Sequence, residues 1–163
     1  MKKLICILLS LLLLPLWGCS SGENNEVPFY YCRSPESYQY FEEDSVIHSE
    51  ARELLGHRQD LRYMVGLYLA GPLDEELISP FPKSIRLLSI EKEEDSLQIE
   101  LSALDKSLSD SEFTLACACL TLTCLDFTQC TEVTITSGTR TVTMDSDTIL
   151  LFDSLHQQET TGG

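Results

Sequence analysis

The chain has 163 residues, 26 acidic against 11 basic, and a formal net charge of −15. Hydrophobic residues make up 43% and charged ones 23%, ordinary globular proportions that exclude wholesale disorder and a polytopic membrane protein. The length suits one domain with a real core, and the acidity excludes non-specific nucleic-acid binding, which needs a basic surface.

Lys2 and Lys3 form a short positive n-region. Residues 4–14 are apolar except for Ser10, and Pro15 ends the run. That is the length of a secretory h-region, well short of the roughly 20 residues a membrane-spanning helix needs. Leu16-Trp17-Gly18-Cys19 follows and resembles a bacterial lipobox, with an aliphatic residue three before the cysteine and a small one directly before it. The resemblance implies a thioether-linked diacylglycerol on Cys19 and cleavage just before it, making residues 1–18 a lipoprotein signal peptide. Two acyl chains anchor stably where one binds only marginally, at about 0.8 kcal/mol per buried methylene. A plain secreted protein with a coincidental cysteine is the alternative. Residues 1–18 carry two bases and no acid, so processing moves the net charge from −15 to −17. Residues 19–27 then read as the lipidated cysteine and a polar tether, whose stretch from Ser20 to Glu26 reaches at most about 25 Å. The expected location is the extracytoplasmic face of the bacterial cell membrane, held by the lipid.

The domain is expected over residues 28–153. Val27-Pro28-Phe29-Tyr30-Tyr31-Cys32 is an apolar, aromatic run that predicts a first strand. Val46 to Leu54 is a weaker second strand, with helical propensity at its end. Leu61, Met64, Val65, Tyr68 and Leu69 recur at helical spacing, with Asp60 as N-cap, Gly71 as the left-handed residue beyond the end and Pro72 forbidding continuation. Gly66 inside this stripe suggests close packing at that point. After a loop from Leu73 to Pro82, Ile85–Ile90 and Leu97–Leu101 flank a charged, solvated hairpin tip.

Ser109-Asp110-Ser111-Glu112 is a Ser-x-x-Glu capping box. Behind it Phe113, Ala116, Cys117, Leu120 and Cys124 fit a helix, while Leu120-Thr121-Leu122-Thr123-Cys124 also alternates as a strand would. Residues 132–136 and 139–144 flank Ser137-Gly138 as a second hairpin. Ile149–Phe152 is a possible short edge strand, and residues 154–163 read as a disordered tail. The fold class is α+β, in the order β-β-α-β-β-α-β-β, with two helices packed on one face of a mainly antiparallel or mixed sheet.

Of seven cysteines, Cys6 leaves with the signal and Cys19 takes the lipid, so Cys32, Cys117, Cys119, Cys124 and Cys130 remain. In a helix, Cys117 and Cys119 point about 200° apart and cannot readily chelate one ion. We read the five as buried structural thiols. A disulfide involving Cys130, Cys119 or Cys32, and a redox or metal-binding protein using the Cys117–Cys130 cluster, are the alternatives. The acids of 91–95 match no calcium loop. No Gly-rich phosphate loop, His-Glu-x-x-His or Gly-x-Ser-x-Gly occurs. His48, His57 and His156 read as ordinary histidines, a Cys32 pairing with His48 or His57 being the sharper alternative. Tyr30, Tyr31, Tyr38, Tyr40 and Phe41 could line an envelope ligand site or simply be strand core.

Tyr68-Leu69-Ala70-Gly71-Pro72, then Leu77-Ile78-Ser79-Pro80-Phe81-Pro82, then Ile85-Arg86-Leu87-Leu88-Ser89-Ile90 resembles the GerM domain family of sporulation and germination lipoproteins. The likeness continues through Leu97-Gln98-Ile99-Glu100-Leu101-Ser102, the capped segment with Leu120-Thr121-Leu122-Thr123, the Val133–Ile135 strand and Gly138, covering roughly Phe29 to Phe152. The chain departs from the family pattern at Lys83-Ser84 and at residues 126–130. The resemblance implies that the ambiguous segment is a helix and that the module is like the ring-building motifs of secretion and sporulation channels. It implies assembly with copies of itself or with envelope proteins, and no catalysis, cofactor, metal or small-molecule ligand.

Overall fold

The computed structural model describes residues 26–34, 46–54, 56–104 and 108–149. The elements are β1 (Glu26–Arg33), β2 (Ile47–Glu53), α1 (Leu61–Leu69), β3 (Leu77–Ile78), β4 (Leu87–Glu93), β5 (Ser96–Leu101), α2 (Asp110–Phe127), β6 (Glu132–Ser137) and β7 (Arg140–Asp145). The α+β class expected from sequence is borne out. The strands do not form one sheet, however. They divide into a three-stranded sheet, β2-β1-β3, and a four-stranded one, β4-β5-β6-β7.

The first sheet is antiparallel throughout, with Tyr31 opposite His48 and Cys32 opposite both Ile47 and Ile78. Glu26 and Val27, where the expected tether meets the expected first strand, pair with Glu53 and Arg52. The second sheet is mixed: β5 and β6 run parallel, joined through α2, while β4 and β7 are antiparallel to their neighbours. A parallel pair needs such a crossover, because no tight turn can return the chain in the same direction.

Local signals work as anticipated at the helix ends. The Asp60 side chain accepts from the Tyr63 amide at 2.9 Å, and Gly71 has φ +98° just beyond α1. At α2 the Ser109 hydroxyl accepts from the Glu112 amide at 3.3 Å while the Glu112 carboxylate accepts from the Ser109 amide at 2.7 Å. The capping box is complete. Gly66 is different: it is exposed, and a Cβ added there would meet nothing within 4 Å, so it marks no close packing. The tip of the β4–β5 hairpin, Glu93-Glu94-Asp95, is exposed as expected, with Glu94 at φ +46°. Residues 146–149 form a helical turn that ends on buried Ile149, where an edge strand was expected to begin; residues 150–152 lie outside the described ones.

Helix α2 lies at the centre. It packs on β1, β6 and β7, and nine of its eighteen residues are buried, from Phe113 to Cys124. Ala116, Ala118, Cys117, Cys119, Thr121 and Thr123 are small, so neighbouring backbone can approach on several sides. That is why its apolar stripe is hard to see in sequence: the helix has no wide polar face to contrast with it.

Candidate functional site

The most chemically distinctive region is the seam between β1 and α2. Strand alternation sends Val27, Phe29 and Tyr31 to one face, where Tyr31 stacks on Tyr68 of α1 with ring centroids 4.9 Å apart. Tyr30 and Cys32 serve α2. The Tyr30 hydroxyl donates to Asp126 Oδ2 at 2.6 Å, and the Cys32 and Cys119 Sγ atoms lie 4.0 Å apart. Burial, aided by the Asp126 carboxylate it faces, pushes the Tyr30 phenol up to about 12.

The backbone of β1 is part of the same seam. Tyr30 N donates to Thr123 Oγ1 at 3.0 Å, and that hydroxyl donates in turn to the Cys119 carbonyl at 3.0 Å. Pro28, two residues before Tyr30, shares the same strand edge and has no N–H to satisfy. Cys32, two residues after, pairs with Ile78 of β3. The outer edge of β1 is therefore closed by a proline, a helix hydroxyl and a two-residue strand in turn.

Cys119, Thr123 and Asp126 share one helix face, spaced four and three apart. Cys117 is turned about 200° from Cys119 and senses Arg140, whose guanidinium lies 4.4 Å from the Phe113 ring centroid. Two cysteines adjacent but one in sequence thus face different parts of the fold. Burial raises the Cys117 thiol to about 12 and the Cys124 thiol further still. At the Cys32–Cys119 contact the hydrogen bond favours ionisation at Cys32 and disfavours it at Cys119. Among the described residues the buried Tyr68 hydroxyl has no hydrogen-bond partner, and burial, reinforced by Cys119, Tyr31, Cys32 and Cys124, raises its pKa.

A second network lies on the opposite side of β1. Arg52 is 6% exposed, donates from Nη2 to the Gly71 carbonyl at 2.6 Å and from Nε to Glu50 Oε1 at 2.6 Å, and sits over the Phe29 ring. The Glu50 carboxylate also accepts from the Leu73 and Asp74 amides at 3.0 and 2.8 Å. One ion pair on β2 therefore clamps the turn that leaves α1.

The residues singled out from sequence fall as follows. Cys19, Tyr38, Tyr40, Phe41 and His156 lie outside the described residues. Tyr31 is fully buried strand core, and Tyr30 is tied to Asp126, so neither lines an open ligand groove. All five cysteines are free and buried, as the structural-thiol reading expects. His48 stands opposite Tyr31 and Cys32 opposite Ile47, so register sends Cys32 and His48 to opposite faces, and no dyad forms between them. His57 stacks on Tyr63 at 4.2 Å. Among the described residues no three His, Cys, Asp or Glu side chains group to hold a metal ion. The Arg52–Glu50 clamp and the Thr123 bond to β1 were not foreseen. Pro28 within a strand was the available signal for an unladdered edge; the clamp has none.

The model of the Germane family, described as sporulation and spore germination, matches residues 28–142. This span runs from β1 into β7. The chain belongs to the Germane family. Its fold is similar to that of a Clostridium perfringens protein described as a candidate lipoprotein, solved in a crystal at 2.5 Å, with 14% identity, a TM-score of 0.46, and coverage of 75% of this chain and 87% of that one. No curated protein gives a significant match. Membership of the Germane family is consistent with a non-enzymatic protein acting in association with the envelope. No helix among the described residues is long and apolar enough to cross a membrane.

Proposed function

We propose that the chain is a lipoprotein anchored through a diacylglycerol on Cys19 at the extracytoplasmic face of the cell membrane, where its Germane domain assembles with envelope proteins or with copies of itself. The observation that carries this reading is the family match, which takes in nearly all the described secondary structure. The family's description supplies the process, sporulation and spore germination. The lipobox-like Leu16-Trp17-Gly18-Cys19 supplies the anchor.

Two features favour assembly over small-molecule binding. The aromatics nearest to forming a groove are occupied, Tyr31 by its stack on Tyr68 and Tyr30 by Asp126. Two open depressions on the described surface, of about 300 and 270 Å³, are lined mostly by polar and charged residues, Glu93, Glu94, Asp95, Ser96, Thr131 and Glu132 in the first, and would offer a ligand little apolar contact.

Membrane fractionation tests the anchor. Cys19→Ser should release the domain into the soluble fraction after signal cleavage; a variant that stays membrane-bound removes the lipid from the reading. Crosslinking in intact cells tests assembly. Recovery of covalent adducts, with copies of the chain or with other envelope proteins, is the expected result, and a chain that stays monomeric and partnerless throughout growth and sporulation counts against it.

A further inference from the structure

We propose that Cys32 and Cys119 form a modification site: a thiol pair that closes to a disulfide, stitching β1 to α2, when an oxidant of the dithiol–disulfide class meets the chain. Among the described residues these are the two thiols in sulfur–sulfur contact, at 4.0 Å. A disulfide needs about 2.05 Å between sulfurs, so closure asks for an approach of about 2 Å. Neither side chain is β-branched, and rotation about χ1 supplies movement of that order.

The surroundings suit a bond there. The pair lies in the core, where a disulfide adds no exposed polar group, and Cys119 is 0% and Cys32 7% exposed. An oxidant therefore meets Cys32 first. The Thr123–Tyr30 bond one helical turn along already holds β1 against the same face of α2. Cys117, two positions from Cys119 on the helix, points about 200° away from it, on the side that senses Arg140.

The step balances as ordinary exchange. Cys32, as thiolate, attacks one sulfur of the oxidant's disulfide, and the other oxidant sulfur leaves and takes up a proton. Cys119 then loses its proton and attacks Sγ of Cys32, expelling the oxidant's remaining sulfur. Two protein thiols are oxidised by two electrons, and one oxidant disulfide is reduced to two thiols. The bridge would span 87 positions of chain, a long loop whose closure restricts the unfolded state strongly. Disulfides persist outside the cytoplasm; that placement rests on the export proposed above, whereas the chemistry of the pair does not.

The test uses the purified protein. The reduced chain is treated under native conditions with glutathione disulfide, quenched in acid, unfolded, alkylated and mapped by mass spectrometry. The expected result is joint loss of alkylation at Cys32 and Cys119 and a crosslinked peptide joining them, reversed by dithiothreitol, with Cys117, Cys124 and Cys130 still alkylated. A bridge that maps to any other pair overturns the proposal. Refolding from urea in the same oxidant gives the buried sulfurs access, so five alkylatable thiols after refolding overturn it as well. Neither outcome depends on the fate of Cys19→Ser, which tests the anchor alone.

Discussion

The Tyr30 amide donates to the Thr123 hydroxyl at 3.0 Å across 93 positions of sequence, so a helix side chain replaces a strand partner at this point on the edge of β1. An amide there without an acceptor would lose its hydrogen bond away from bulk water. Thr123→Val keeps the shape and removes the acceptor; we expect a loss of about 1–2 kcal/mol, read as a lower urea midpoint. Thr123→Ser should retain most of that stability. A loss confined to Thr123→Ser, with Thr123→Val at wild-type stability, would mean that the methyl group, not the hydrogen bond, matters.

The Arg52–Glu50 pair, with side chains 6% and 10% exposed, holds the Gly71–Asp74 turn. Arg52→Met leaves a nearly buried carboxylate without its cation, and removal of one partner from such a pair costs about 3 kcal/mol. Alongside lower stability, the Leu73 and Asp74 amides should exchange faster with solvent hydrogen. Unchanged exchange at those amides would show that the turn does not depend on the clamp.

Acid sensitivity follows from the α2 cap. Hydrogen bonds from the Ser109 hydroxyl and amide hold the Glu112 carboxyl below its ordinary range. A pKa depressed by folding gives stability that is present above the unfolded-state value and is lost as pH falls through the folded one. The wild-type chain should therefore lose part of its stability between about pH 5 and pH 3, and Glu112→Gln should show a smaller loss over that interval. The check is a set of urea titrations across it.

Two glycines near α1 should respond in opposite directions. Gly66 is exposed, not at positive φ, and has open space where a Cβ would go. Gly66→Ala should raise stability by about 0.5–1 kcal/mol. Gly71 has φ +98°, which an L side chain resists, so Gly71→Ala should lower it by about 1 kcal/mol or more. Thermal melts distinguish the two, and a destabilising Gly66→Ala would restore the idea of close packing there.

Sequence alone determined the helix ends, the two hairpins and the α+β class, because each depends on residues within a few positions. Asp60 and Gly71 bound α1, Ser109 and Glu112 start α2, and the alternation of Leu97, Ile99 and Leu101 marks β5. The family resemblance, carried by short motifs in order, settled α2 as a helix where periodicity alone left two readings. Only the tertiary structure decided that the strands split into two sheets, that β3 exists, and that α2 lies between β1 on one side and β6 and β7 elsewhere. It also decided that Cys119 meets Cys32 while Cys117 does not. The reason is physical: strand edges and buried thiols find partners across tens of residues, and small side chains such as Ala, Cys and Thr permit contact on several faces without announcing which neighbour will fill each.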